Sequence, residues 1–562
     1  MVKNLYTFAK LYGYIRYFHP SDEAYELDWE RFLLYGIEKV KHITHIHDLK
    51  EQLEILFKPI APTLQLSFSD EKIQKTELPD KTEAMKIVGW KHYGVGLQIP
   101  GYFSERVFSE DHEKILLFEE EIPPHYVVNR KINEDITVSF PLTLYHDGNR
   151  TLGSSESQLE EFDKLQLLLK EINIYDNSLS NENIRIADTV ITWTIFQHFY
   201  PAFDIVQVDW DKQLINTLSS TLTDVDATDF RVSLLTMLEP LQDGHMDVRN
   251  PAHSERFFPF HLTRIANDFV VTASGLDEIQ KGDILLKKND RDIAEIIDEY
   301  ENMISGSVQW KKYYSLNELL RNHTSKPAEL TFDRNDEQFS VAISPRFTQE
   351  YRGDEYNRSR NFYYVDEDIF YVNLTGAVYV DQAKHYLEEM REARGIIFDM
   401  RGYPYDFNIR YLLEYIIDQP VVSHQFNVLQ TIYPDQEQIR FDKIEPWELT
   451  PKEPKITGEI VFLIDSSAKS RPETILNIVD YYELGTLIGQ PTAGATGTIQ
   501  LMKLISGFEV MWTGMQVLVQ DGSKLNIIGI EPDVFVERKM ESVRDGIDDY
   551  LETAIEYLRR NN

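Results

Sequence analysis

The spacing of apolar positions divides this 562-residue chain into segments of different character, and the most regular pattern is a repeat. Residues 8–34 read FAKLYGYIRYFHPSDEAYELDWERFLL, and residues 189–215 read TVITWTIFQHFYPAFDIVQVDWDKQLI. Each is an aromatic-rich stretch of helical spacing that reaches a proline, Pro20 or Pro201, and then Asp-Trp, Asp28-Trp29 or Asp209-Trp210. Proline disfavours helix in the residue before it, so it closes the first helix. The aspartate carboxylate can accept from the free N–H groups of a new first turn, so it opens the second. Each copy is therefore expected to be a helical hairpin with its aromatic face inward, with His19 and His198 as packing residues rather than ligands. Two copies are too few for a solenoid.

Between the copies, residues 86–153 read as β-rich. Short runs such as Lys114–Phe118 and Asp135–Phe140 are broken by Pro and Gly. Residues 154–183 are polar, with Ser and Asn at both ends, and read as a linker around a charged helical stretch. In 257–345, Phe269–Thr272 reads as a strand, followed by the Gly282-Asp283 turn, an apolar strand, a polar turn and a helix over about 294–303. This succession resembles a PDZ domain, a module that captures peptide C-termini by adding a strand to a sheet edge. From 361 onward strands and helices alternate: strands at 370–374, 395–400, 460–464 and 486–489, helices at 379–393, 407–417, 471–484 and 541–560. That alternation predicts a largely parallel, buried sheet. The expected organisation is a helical segment (1–85), a β-rich segment (86–153), a helical segment leading into the core (184–256), a PDZ-like domain (257–345) and an α/β core (361–562).

Composition narrows the function. A net charge of -36 leaves no basic footprint for nucleic acid and suits anionic membranes poorly. No apolar run reaches the roughly 20 residues of a membrane span. With no cysteine, disulfides and thiolate chemistry are excluded. No His/Asp/Glu cluster has zinc-site spacing and no glycine-rich phosphate loop occurs, so neither metal nor cofactor is expected. The first residues lack the apolar stretch of a signal peptide. The expected location is the cytoplasm, or outside it if a signal has been trimmed.

Chemistry concentrates at Ser470, in Ile464-Asp-Ser-Ser-Ala-Lys-Ser-Arg-Pro-Glu473. Pro472 belongs in a first helical turn, which puts Ser470 at the cap, facing free N–H groups and the positive end of the helix dipole. Such a serine is ordinarily only a cap. Three further segments alter that reading: Leu241-Gln-Asp-Gly-His-Met246, Gly395-Ile-Ile-Phe-Asp-Met-Arg-Gly402 and Gly529-Ile-Glu-Pro-Asp533. With Ser470–Glu473 and Thr492-Ala-Gly494 they resemble, in order and spacing over about 235–560, the tail-specific (C-terminal processing) serine proteases, including the tricorn core. Residues 1–230 resemble, more vaguely, the extension of some bacterial members.

The resemblance implies a multidomain fold: a helical and β-rich N-terminal extension, a PDZ-like domain and an α/β (ClpP/crotonase-like) protease core. It implies Ser470 as nucleophile and an oxyanion hole from the N–H groups of Gly402 and Arg471. Many members use a lysine base about 25 residues after the serine, but Ala495 stands there. The tricorn-like branch uses a histidine, which His245 matches, with Glu531 as the first candidate for its supporting acid and Asp243 as the second. The branch's serine before the histidine is replaced by Gly244, and the loop after Gly402 reads Tyr403-Pro-Tyr-Asp406. Ser466-x-x-Lys469 also matches a penicillin-binding pattern, but Pro472 starts the helix too late for it. The expected activity is endopeptidase action on unstructured or C-terminal peptide segments, with a peptide-binding pseudoprotease as the alternative. The expected partner is a peptide or unfolded protein, and the oligomeric state is left open.

Overall fold

In the computed structural model, residues 1–69, 71, 84–94, 103–174, 179–250, 256–322, 326–346, 356, 358, 360–375 and 378–560 are described. The repeat folds as its spacing dictates. Helix Val2–Phe18 stops short of Pro20, and Asp28 caps Trp29–Val40, its carboxylate accepting from the Arg31 N–H at 3.1 Å. Helix Glu182–Phe199 stops short of Pro201, and Asp209 caps Trp210–Thr221, accepting from the Lys212 N–H at 3.0 Å. The two hairpins share one core containing Phe8, Tyr12, Phe32, Trp193 and Phe196, each ring worth roughly 1.5–3 kcal/mol of burial. Both histidines are buried within it. His19 lies between Ser21 Oγ at 2.8 Å and Thr63 Oγ1 at 3.0 Å, while His198 accepts from the Asp435 N–H at 3.1 Å and packs on Phe18.

Two expectations need correction here. Residues 154–183 are not merely a linker. Ser155 and Gln158 form a reciprocal capping box that starts helix Glu156–Lys170, which buries Phe162 and Leu169. The β-rich segment is also not separate from the core: strand Lys86–Tyr93 pairs with Phe103–Phe108 and Thr143–His146, and also with Gln425–Thr431, placing His92 opposite Thr431.

Residues 260–343 form an antiparallel sheet in the order Phe260–Ile265, Asp268–Ser274, Ile284–Lys288, Ala328–Arg334, Glu337–Ile343. Helices Ile293–Glu301 and Val308–Leu320 accompany it. Beyond it lies the α/β core, a sheet in the order Phe362–Tyr364, Ile369–Asn373, Gly395–Asp399, Glu459–Ile464, Thr486–Gly489, Val534–Phe535. All its neighbours are parallel except the first pair. Alternate residues of its strands feed two apolar layers, which is why these strands read as continuous apolar runs. Phe370, Phe398 and Phe462 meet helix Arg471–Tyr481 on one face, and Tyr371, Ile397 and Val461 meet helix Asp549–Arg560 on the other.

All four expected core helices are shorter than their patterns, and 471–484 ends at Tyr481. The 379–393 stretch is two helices, Val380–Lys384 and Leu387–Glu392, and 407–417 is a 3₁₀ segment, Phe407–Tyr415. The 541–560 stretch breaks at Gly546, whose φ of 70° ends Met540–Asp545 before Asp549–Arg560 begins.

Candidate active site

Strand Glu459–Ile464 runs out of the core sheet, turns through 465–469 and enters helix Arg471–Tyr481, with Pro472 in the first turn. Ser470 sits at that junction with φ 69° and ψ -110°, a conformation that costs a non-glycine residue about 1–3 kcal/mol. It persists because its surroundings over-determine it. The Ser470 N–H donates to Ala495 O at 2.8 Å and to Glu473 Oε2 at 3.2 Å. Glu473 is fully buried and also accepts from Thr492 Oγ1 at 2.7 Å, Gly494 N–H at 2.6 Å and Ala495 N–H at 2.9 Å. Burial pushes its carboxyl pKa up, and the four donors work against that shift. The Ser-x-x-Glu and Thr-x-Gly segments are thus one physical object, tied together by one carboxylate.

The Gly529–Asp533 segment belongs to the same object. Thr492 Oγ1 accepts from the Ile530 N–H at 2.8 Å, and a Cβ on Gly529 would lie 2.5 Å from Thr492 O, so only glycine fits. Asp533 accepts from the Leu487 N–H at 2.7 Å, anchoring the segment to the sheet.

Gly402 follows the end of the adjacent strand with φ 121°. Before it, Arg401 is wholly buried and pairs with Asp399 and Asp548, each at 2.7 Å, beneath the ring of Tyr356. Burial opposes ionisation of Asp399, but Arg401 outweighs it and holds the carboxyl down at about 2. The Arg471 side chain reaches back over this loop, donating to Pro404 O at 3.3 Å and lying 5.3 Å and 4.9 Å from the ring centres of Tyr403 and Phe407. Residues 402–407 are thereby tied to the N-terminus of the Ser470 helix.

His245 arrives from the other side of the molecule. Strand Asp247–Arg249 pairs with Glu509–Thr513, placing Asp247 opposite Met511. His245 is 3% exposed, with Nδ1 2.9 Å from Thr513 Oγ1. Its buried Nε2 has no hydrogen-bond partner among the described residues. Asp243 accepts three bonds: from Thr513 N–H at 2.6 Å, Thr513 Oγ1 at 2.7 Å and His245 N–H at 2.9 Å. Burial, and then the Lys469 charge, push the His245 pKa well below its usual value. The Lys469 ammonium lies 4.0 Å over the ring of Trp310 and donates to Gly244 O at 3.3 Å; burial lowers its pKa to about 8.

The two halves meet at Ala495. A Cβ on Gly244 would fall 2.7 Å from the Ala495 methyl, while Ala495 O receives the Ser470 N–H. The loss of a serine before His245 thus has a steric reason: Ala495 fills that space. The structure brings Ser470, Arg471 and Gly402 to one loop cluster and the His245 segment against it. It does not bring in Glu531, which is exposed beside buried Ile530 and touches neither ring nitrogen of His245. The alternation of the segment turns Ile530 inward and the carboxylate outward. The acid beside His245 is Asp243, the second candidate. Thr513 went unread, because nothing local marks a threonine at the end of an antiparallel strand 268 residues away from the histidine.

Residues 368–536 match peptidase family S41. Among solved structures, mature CPAF complexed with lactacystin is similar over 67% of this chain and 98% of its own, at 12% identity and a TM-score of 0.55. The photosystem II D1 C-terminal processing protease covers 65% of this chain and 97% of its own, at 14% identity and a TM-score of 0.38. The tricorn protease covers 81% of this chain and 42% of its own, at 14% identity and a TM-score of 0.35. No curated protein matches the sequence. The CPAF likeness speaks for the fold, and the match over 368–536 spans the strands, Ser470 and Glu473 just described: residues 368–536 carry a peptidase family S41 domain, that of a serine-type peptidase.

Proposed function

We propose that the chain is an endopeptidase that forms an acyl-enzyme on Ser470, with His245 as general base. The observation that carries this reading is a serine held at φ 69° on a helix N-terminus, with the segment of a buried histidine against its loop at Ala495 and the Nε2 of that histidine without a partner among the described residues. A strained, exactingly braced serine is more than a cap requires. In the proposed reaction His245 takes the Ser470 proton, Ser470 attacks the peptide carbonyl, and the N–H groups of Gly402 and Arg471 receive the oxyanion. The protonated histidine then returns its proton to the leaving amine, and water hydrolyses the ester. The depressed basicity of His245 favours its neutral, proton-accepting form at neutral pH.

Substrate delivery is assigned to a PDZ-like unit over 257–345. Strand Phe260–Ile265 stands at one end of its sheet's strand order and lines a cavity of about 490 Å³ facing Asp465 and Ser466, on the turn that leads to Ser470. A peptide could be added there as a further strand, and exposed Lys312 lies on the cavity wall to meet its carboxylate. The Gly282-Asp283 turn has a structural task instead, with Asp283 clamped by Arg334 at 2.6 Å and 2.7 Å. A fluorophosphonate probe tests the nucleophile: labelling should map to Ser470 and vanish in Ser470→Ala. An intact chain that never labels, and never cleaves an unstructured protein, would return it to a pseudoprotease.

A further inference from the structure

The hydroxyl of Thr513 has one proton to give and lone pairs to offer. It lies between two groups, 2.7 Å from Asp243 Oδ1 and 2.9 Å from His245 Nδ1. Asp243 Oδ1 also accepts the His245 backbone N–H at 2.9 Å, and Oδ2 accepts the Thr513 N–H at 2.6 Å, so both oxygens serve as acceptors. The hydroxyl proton therefore points to Asp243, and the remaining lone pair can only accept. That requires the proton of a neutral imidazole to sit on Nδ1, leaving Nε2, buried and without a partner among the described residues, as the basic nitrogen.

We infer that Thr513 is a positioning residue of the peptidase site, relaying the carboxylate of Asp243 to His245 so that Nε2 faces the reaction as the base. The inference rests on the reading of Ser470 and His245 as nucleophile and base. It assigns to Thr513 and Asp243 together what a carboxylate bonded directly to the histidine does elsewhere: it sets the tautomer and stabilises the imidazolium that forms as Ser470 loses its proton. The strand pairing supplies the rigidity. The same carboxylate holds the main chain of both segments, at His245 and at Thr513, so neither ring nor hydroxyl can drift independently.

The test compares Thr513→Val, which keeps the branched shape and the backbone bond to Asp243, with Thr513→Ser, which keeps the hydroxyl. Valine should lower kcat roughly 10²-fold with little change in KM, since a wrong tautomer is a defect of the chemical step. Serine should restore kcat to within about threefold of the parent. Nitrogen NMR of the unaltered chain should place the neutral His245 proton on Nδ1, and in Thr513→Val that preference should be lost. A parent protonated on Nε2, or a valine variant with parental kcat and unshifted ring nitrogens, would overturn the inference. Should valine prevent folding, the tautomer of the parent still decides. The underlying reading fails separately: if Ser470→Ala or His245→Ala retains activity, the site is elsewhere, whereas if both abolish it and Thr513→Val does not, only the relay is wrong.

Discussion

The two halves of the proposed active site are built by opposite strategies. The serine half is local: Ser470, Arg471 and Glu473 lie within four residues, and Gly402 lies just past the end of the neighbouring parallel strand. The histidine half is long-range: Asp243 and His245 gain their partner Thr513 only when an antiparallel strand folds against them. A parallel sheet delivers loops to one end by topology alone, so a nucleophile and its oxyanion donors can be set by short segments. A base that must be oriented from a different direction needs a second sheet, and its precision depends on that sheet's register.

The sharpest way to break the serine half is Ser470→Ala. Peptide hydrolysis should fall roughly 10⁴–10⁶-fold, with the melting temperature nearly unchanged, as checked by peptide turnover and calorimetry on one preparation. Turnover at the parental rate would remove Ser470 from the chemistry. Glu473→Ala should follow in size but differ in kind, because three donors lose their acceptor inside the core and the Ser470 N–H keeps only Ala495 O. A cost of roughly 3 kcal/mol in stability is expected together with a large loss of kcat. A variant that keeps its melting temperature would show that the 492–495 loop does not depend on this carboxylate.

The same contrast explains what could be read from the sequence. The parallel core, the Ser470 cap and the Asp28 and Asp209 caps were legible because each is decided within a few residues. The motif pieces at 470–473, 492–494 and 529–533 were visible too, but not their reason, since nothing in the order of letters says that Glu473 is what Thr492 and Gly494 bind. Glu531 illustrates the limit: it stands in a recognisable segment whose work is done by Gly529 and Asp533, while the acid that meets His245 depends on a strand register. The capping box at Ser155 and Gln158 is equally local, and it starts a helix inside a stretch whose polar composition reads as a linker.

A smaller effect is expected where the proposed PDZ-like unit, 257–345, meets the core. A substrate with a free C-terminus should be cleaved about tenfold better than its amide, the difference lying in KM because the contact is remote from the chemistry. Lys312→Gln should narrow that gap. Equal kcat/KM for acid and amide would leave the unit a spacer. Its physical link to the site is independent of that result: Ser307 Oγ donates to Ala493 O at 2.7 Å, and Gln309 Nε2 donates to Thr492 O at 2.9 Å.

The smallest effect probes the histidine half through Lys469. In the proposed mechanism His245 must be neutral to accept the Ser470 proton, so kcat/KM should fall as pH drops through its pKa. Burial and the Lys469 charge both lower that pKa, so the acid limb should lie below about 6.5, the ordinary value for histidine. Asp243 is linked to the ring through the Thr513 hydroxyl. Lys469→Met keeps an unbranched stem against Trp310 and removes the charge. The His245 pKa should then rise, shifting the acid limb upward by less than about one pH unit and leaving it below the ordinary value, because burial is the larger cause. The rate at high pH should be unaffected, since His245 is already neutral there. The opposite result is equally readable. Lys469 loses its proton at about 8, so a parental rate that climbs through pH 8, with that step absent in Lys469→Met, would move the base from His245 to the lysine beside the nucleophile.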